Sequence, residues 1–265
     1  MNFLLLSAYF VFLCATTQYI TCFDFSLKGI SSWVSGNKEE VFLKEAYFDF
    51  DGTVFLENDA AGSLIVKSWS LPKVAIEAVK KAPEKELESI IINTQLTQNK
   101  VSISSTKQIT QKNDKHSIDY RLIVPYKANL VIKNKGFIKI KNVEGNIKAS
   151  SENAIDIRGA VGSINLQAHD AATVNFSALP LESIVHVTST KSSVTVALPS
   201  LINATLTAKT EFNMINSEHF IMLNPMTVLL NKQTWNKLQK EVYGLIGNGG
   251  TQIQLTAYNG ITITY

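Results

Sequence analysis

The run Phe48-Asp49-Phe50-Asp51-Gly52-Thr53-Val54 sets two aspartates one residue apart ahead of a Gly-Thr pair. That spacing can serve phosphoryl transfer. The first carboxylate attacks phosphorus, the second serves as acid and base for the leaving group, and a Mg²⁺ ion neutralises the phosphate. The same chemistry needs a downstream lysine, a paired acidic site behind a later strand, and helices around a parallel sheet. Lysines abound, but Asp114, Asp119, Asp156 and Asp170 are isolated, no Asp-Asp pair occurs, and the residues after Val54 read as strand and turn rather than helix. Asp51-Gly52 is therefore read as a hairpin turn, and the motif as a chance match.

The remaining reactive side chains are scattered. His116, His169, His186 and His219 lie far apart in the chain, and only His169 and His186, 17 residues apart, could stack if the chain coils with that period. Asp156 beside Arg158 is the one hint of a carboxylate site on a strand face, the kind of site a carbohydrate-active β-helical enzyme would use. Gly247-Asn248-Gly249-Gly250 resembles a phosphate cradle but lacks the following Lys-Ser/Thr, so it reads as a loop. No Gly-x-Ser-x-Gly elbow is present. Asn175-Phe176-Ser177 and Asn203-Ala204-Thr205 are glycosylation acceptor sequons. Both cysteines, Cys14 and Cys22, lie near the N-terminus, which leaves no disulfide framework for the rest of the chain. No catalytic, cofactor-binding or metal-ligating residue is assigned, and no cofactor is expected.

The elements that would carry these groups are strands. Of 265 residues, 45% are hydrophobic and 18% charged, enough apolar side chain for one large domain or two small ones. The net charge of +3 is too small to argue for nucleic acid as a partner. Residues 2–23 carry no charge, and Phe3 to Ala15 is apolar apart from Ser7. This segment reads as a secretory signal over 1–22, with an uncleaved N-terminal anchor or a buried strand as the alternatives. A linker over 23–44 follows, and then a β-repeat domain over 45–265 dominated by period-two alternation.

Within that domain the regular coils are expected at about 130–215. Lys135-Gly136-Phe137-Ile138-Lys139-Ile140 aligns with Asn153-Ala154-Ile155-Asp156-Ile157. Glu144-Gly145-Asn146-Ile147-Lys148-Ala149 aligns with Val161-Gly162-Ser163-Ile164-Asn165-Leu166, again 17 residues on. A third copy around Val174 aligns with Ile155 at a displacement of 19. Units this short cannot bury an apolar face alone, so they stack. Ile138, Ile155 and Val174 are expected to form one inward column, with Lys139, Lys141, Lys148, Asp156, Arg158 and Asn165 facing water. One helix is expected over Asn231 to Tyr243, with Trp235, Leu238 and Val242 on one face. The fold class is all-β: a parallel β-solenoid or β-helix-like repeat of short strands, more irregular toward the N-terminus.

Three stretches carry a family likeness. They are Gly62-Ser63-Leu64-Ile65-Val66-Lys67-Ser68-Trp69, then Tyr120-Arg121-Leu122-Ile123-Val124-Pro125, and the ending Gly249-Gly250-Thr251-Gln252-Ile253-Gln254-Leu255-Thr256-Ala257-Tyr258-Asn259-Gly260-Ile261-Thr262-Ile263. Together with the repeats between them they resemble the DUF4097 adhesin family of bacterial β-strand repeat proteins, over roughly residues 45–265. The resemblance implies an exported, extracytoplasmic protein, secreted or at the cell surface, with an adhesive role and no catalytic set. Its partner would be a surface ligand, a glycan or a cell-envelope component. Ala154 and Ala172 depart from the Asn-Gly that such repeats carry at their corners. The Asp49-to-Thr53 stretch matches the nucleophile motif of haloacid-dehalogenase-like phosphatases in residues but not in context. A β-helical lyase or glycosidase is the alternative, and a structural envelope protein without a discrete ligand the third reading.

Overall fold

The computed structural model describes residues 37–47, 51–97, 99–107, 116–218, 221–223 and 240–265. In chain order the elements are β1 (Asn37–Tyr47), β2 (Thr53–Asn58), β3 (Leu64–Trp69), β4 (Lys73–Pro83), a single helical turn α1 (Glu84–Leu87), β5 (Ile90–Thr97), β6 (Lys100–Lys107) and β7 (Ser117–Pro125). Next come β8 (Asn129–Asn134), β9 (Ile138–Lys141), β10 (Ile147–Ser151), β11 (Ile155–Ala160), β12 (Ile164–Ala168), β13 (Ala172–Phe176), β14 (Ile184–Ser189) and β15 (Val194–Ala197). The last are β16 (Ala204–Thr210), β17 (Ile215–Ser217), β18 (Ile221–Leu223), β19 (Glu241–Ile246), β20 (Thr251–Ala257) and β21 (Ile261–Thr264).

The strands form two long sheets, one of 10 strands in the order β1-β4-β7-β3-β9-β11-β13-β15-β21-β17 and one of 11 in the order β18-β19-β16-β20-β14-β12-β10-β8-β2-β6-β5. We call them the first and the second sheet. From β8 to β15 successive strands alternate between the sheets, and each of β8 to β13 pairs in parallel with the strand two places on. The winding is β-helix-like. Antiparallel strands flank it: β1 and β4 on the first sheet, β5 at one edge of the second and β19 and β18 at the other.

The stacking order departs from the order in the chain. The pair β2–β3 lies between β6–β7 and β8–β9, and the pair β20–β21 lies between β14–β15 and β16–β17. The parallel arrangement thus begins at β2, earlier than residue 130, and takes in the irregular N-terminal part. Residues 37–44, expected in the linker, form most of β1, which pairs with β4 along its whole length. The expected leader over 1–22 lies outside the described residues.

Alternation drives the packing, as it does in any strand with one buried face. Ile138, Ile155 and Ala172 stack in one inward column of the first sheet, and Ile140, Ile157 and Val174 in the next. All are essentially inaccessible. The 17-residue step is thus kept through the third copy, 172 − 155 = 17, and the expected partner of Ile155 is corrected from Val174 to Ala172. A small inward alanine hid the register, because the nearest branched aliphatic residue, Val174, lies two positions on and points the same way. In the second sheet Ile147 lies over Ile164 as expected, with Leu130 on the other side.

A column of buried polar side chains runs along one corner, where the strands of the second sheet end. Asn58 faces Asn134, Asn134 faces Ser151, and Ser189 and Thr210 continue the line beyond Ala168 and Ala257. Each polar member hydrogen-bonds a turn of the chain. Asn58 Nδ2 donates to Asn134 Oδ1 at 2.8 Å, while Asn134 Nδ2 reaches the carbonyls of Gly62 and Gly136 at 3.1 and 2.9 Å. Ser151 Oγ donates to the Gly136 carbonyl at 2.8 Å and Ser189 Oγ to that of Asp170 at 2.6 Å. The turns approach so closely that a Cβ on Gly136 would fall 1.9 Å from the Gly62 carbonyl oxygen, and Gly62 itself has φ +135°. A second ladder crosses the opposite ends of these strands. Asn129 Oδ1 accepts the Asn146 N–H, Asn146 Oδ1 the Ser163 N–H, and Ser163 Oγ the Ile184 N–H.

Two local expectations fail. Asp51-Gly52 is a turn but no hairpin, since β1 lies in the first sheet and β2 in the second; each strand finds its partner far along the chain. The expected helix over Asn231 to Tyr243 is replaced at its end by β19, in which Glu241, Val242 and Tyr243 pair with Lys209, Ala208 and Thr207. Residues 231–239 lie outside the described residues.

Candidate functional site

The residues singled out for chemistry do not converge. Asp49 lies outside the described residues, and Asp51 is exposed in the turn before β2. Its carbonyl accepts the Asn129 Nδ2–H at 2.8 Å, a structural use of the loop. β2 that follows is flanked by strands on both sides. His169 and His186 do not stack. The step between β12 and β14 is 185 − 164 = 21 residues, which puts His186 beside Asn165 and His169 against Thr190, with Nδ1 and Oγ1 3.2 Å apart. His219 lies outside the described residues. Asp156 is no solvated carboxylate: it is 9% exposed and covered by two cations, with Oδ2 3.2 Å from Arg158 Nη2 and 3.6 Å from Lys139 Nζ. Those contacts occupy the group that suggested a glycosidase. Gly247 to Gly250 form a turn with positive φ at Gly247, Gly249 and Gly250, and Asn203 Oδ1 accepts the Asn248 N–H within it at 2.8 Å. Asn175 and Asn203, the sequon asparagines, are both exposed. Among the described residues there is no cluster of three or more His, Cys, Asp and Glu able to hold a metal, and no helix is long and apolar enough to cross a membrane.

What does converge is the outward face of the second sheet. In-register pairing lines up Ser102, Phe55, Val131, Lys148, Asn165, His186, Gln254 and Thr207 in one row across the strands. The next row on the same face holds Ser104, Glu57, Lys133, Ser150, Gln167, Thr188 and Thr256. A shallow groove of 430 Å³ runs between these rows, lined by Phe55, Val131, Lys148, Ser150, Asn165 and Gln167 among others. A second hollow of 360 Å³ on the same face takes in Asn146, Ser163 and His186.

The charges at the groove's N-terminal end are settled internally. Lys133 Nζ donates to Glu57 Oε1 at 2.7 Å, and that bond with the carboxylate charge holds the ammonium pKa above its ordinary value. Lys100 Nζ stands 4.4 Å from the centre of the Phe55 ring, in cation–π contact. Toward β14 and β20 the face becomes neutral, offering amide and hydroxyl groups at one-strand intervals of about 4.8 Å. Nothing in isolated motifs pointed to this face. Its signal lay in the alternate positions of strands whose stacking order the sequence does not display.

No protein-family model matches the chain, and no curated protein matches it. Solved structures of similar course do exist. One is a proposed cell adhesion protein from Clostridium sporogenes, 10% identical, with 86% of this chain and 99% of that one covered and a TM-score of 0.43. Another is a proposed adhesin from Bacteroides fragilis, 12% identical, with 84% and 97% covered and a TM-score of 0.38. A third, from Parabacteroides distasonis, is a proposed lipid binding protein, 9% identical, with 87% and 98% covered and a TM-score of 0.23. Two further structures, from Parabacteroides distasonis and Parabacteroides merdae, are also of proposed adhesins.

Proposed function

We propose that this chain is a non-enzymatic, exported adhesin-like β-solenoid that presents a rigid sheet face to a glycan or cell-envelope component. The observation that carries the reading is the row of outward amide and hydroxyl groups on the second sheet, held in register from strand to strand beside the 430 Å³ groove. Such groups match the alternating donors and acceptors of sugar hydroxyls, and a rigid sheet spares the backbone share of the ordering cost at binding. Export is inferred from the uncharged run over residues 2–23.

The test is a glycan-array screen of the full chain beside reducing-sugar and unsaturated-product assays. Binding without turnover, weakened about tenfold by Asn165→Ala or Gln167→Ala through the loss of one or two hydrogen bonds, is the expected result. Turnover would replace this reading with a carbohydrate-active enzyme. Binding that ignores both substitutions would move the site off this face.

A further inference from the structure

The outward face of the first sheet holds a different arrangement. Where charged residues of this face stand opposite one another across neighbouring strands, the signs are opposite in Glu39 with Lys81, Glu77 with Arg121 and Asp156 with Lys139, and the second sheet does the same with Glu57 and Lys133 and with Lys209 and Glu241. The exception lies on β3, β9 and β11. There Lys67 faces Lys141, and Lys141 faces Arg158.

Three cations thus stand side by side across parallel strands, about 4.8 Å from one to the next, with Lys139 in the adjoining row. Like charges placed this way cost stability. The patch offers one carboxylate against them, Asp156, and its contacts go to Arg158 and Lys139. Lys67 and Lys141 make no ion pair among the described residues. Trp69 lies on the same face of β3, two residues beyond Lys67, half-buried and anchored by an Nε1–H bond of 2.8 Å to the Lys73 carbonyl. A fixed ring beside a straight row of cations gives an apolar plate for the C–H face of a sugar next to charges for its acidic substituents.

We propose that the Lys67–Lys141–Arg158 row binds a linear anionic polysaccharide, with carboxylate or sulfate groups of successive sugars lying over successive strands. One step between strands is close to the rise of one pyranose in an extended chain, so the polymer would run across the strands. A nucleic-acid duplex fits less well, because it presents charge over a far broader surface than one row and the whole chain carries only +3. The proposal does not rest on the groove of the second sheet.

The experiment measures binding of the full chain to dextran sulfate, polygalacturonate, unmodified dextran, duplex DNA and anionic phospholipid vesicles. Binding to either acidic polysaccharide but not to dextran, weakening as salt is added, is the expected result, and the better of the two identifies the anion. Lys67→Gln and Lys141→Gln should each weaken it about tenfold, the loss of one charge-assisted contact. Lys191→Gln, which removes an exposed lysine from the turn between β14 and β15, should leave it unchanged. The double variant Lys67→Gln/Lys141→Gln should melt no lower than the parent, since it relieves repulsion. Equal binding to dextran, tighter binding to DNA or vesicles, an equal loss in Lys191→Gln, or no binding to either acidic polymer would overturn the proposal.

Discussion

Ile155 and Asp156 are neighbours in the chain with opposite surroundings. Ile155 is sealed between Ile138 and Ala172, so Ile155→Asp buries a charge with no partner and should cost about 4 kcal/mol or more, enough to remove the cooperative melt of a marginal domain. Asp156 points outward, yet it lies beneath Arg158 and Lys139. Asp156→Ser should therefore cost about 1 kcal/mol in a denaturant titration, more than an ordinary surface change. That cover was not legible in the sequence, because it comes from side chains two residues and one coil away.

Tyr120 gives a test of opposite sign. Among the described residues its hydroxyl is buried without a hydrogen-bond partner, and burial pushes the phenol pKa up to about 12, with the hydroxyl of nearby Ser105 offsetting part of the effect. Ser105 Oγ donates instead to Asn58 Oδ1 at 2.9 Å. Tyr120→Phe should accordingly be neutral or stabilise by about 1 kcal/mol; a clear destabilisation in the same titration would reveal a bond to that oxygen. Asp119 is the residue through which acid should act. Burial opposes its ionisation, but the N–H and hydroxyl of Ser63 at 2.7 and 2.8 Å and the Lys81 ammonium at 3.1 Å outweigh that, and its carboxyl pKa is held below the ordinary value. A lowered folded-state pKa contributes stability that is present above about pH 4, the unfolded value, and is lost as pH falls through the folded one. Melts of the parent and Asp119→Asn should thus differ most near neutrality and converge as pH drops below about 4. A difference that persists unchanged into acid would contradict the linkage.

Single strands could be read from the sequence and their fastening could not. Alternation marks the inward residues of β8 to β13, and the 17-residue step is visible because the turns there keep one length. Beyond β13 the steps become 185 − 164 = 21 and 194 − 172 = 22 as the connecting turns lengthen, and the repeat fades. The helix expected near residue 240 arose because Trp235, Leu238 and Val242 fit a 3.6 period, while the partner that makes Glu241–Ile246 a strand is β16, distant in sequence. The candidate face was illegible for the same reason: its rows exist only across strands. The corner ladders were more accessible, since Asn129, Asn146 and Ser163 recur every 17 residues. Asn134→Ala should show what the corner contributes. It removes the bonds to the carbonyls of Gly62 and Gly136 and the shorter of the two bonds donated by Asn58 Nδ2, leaving that group only the 3.4 Å bond to the Ile118 carbonyl, at a cost of about 3 kcal/mol. Asn146→Ala, which frees one turn N–H at a more exposed site, should cost about 1 kcal/mol. Equal losses in the two variants would mean that burial of the corner does not matter.

The stacking order binds distant parts of the chain together. β20 and β21 form the seam between β14–β15 and β16–β17, so a chain ending at Gly249 should lose far more than two strands. Its shortened form is expected to aggregate or to melt without a cooperative transition, whereas fraying that leaves the remaining melt intact would show that the seam is dispensable. The same interleaving sets a timetable for synthesis. As the chain emerges N-terminus first, β2 and β3 must wait for partners on both sides, and β14 and β16 wait for a strand made after both of them. β4 can pair with β1 and β6 with β5 as soon as they emerge, and from β7 to β15 each strand finds at least one partner already made, so the stack can grow behind the emerging chain while the last strands to appear close a gap that has stood open until then.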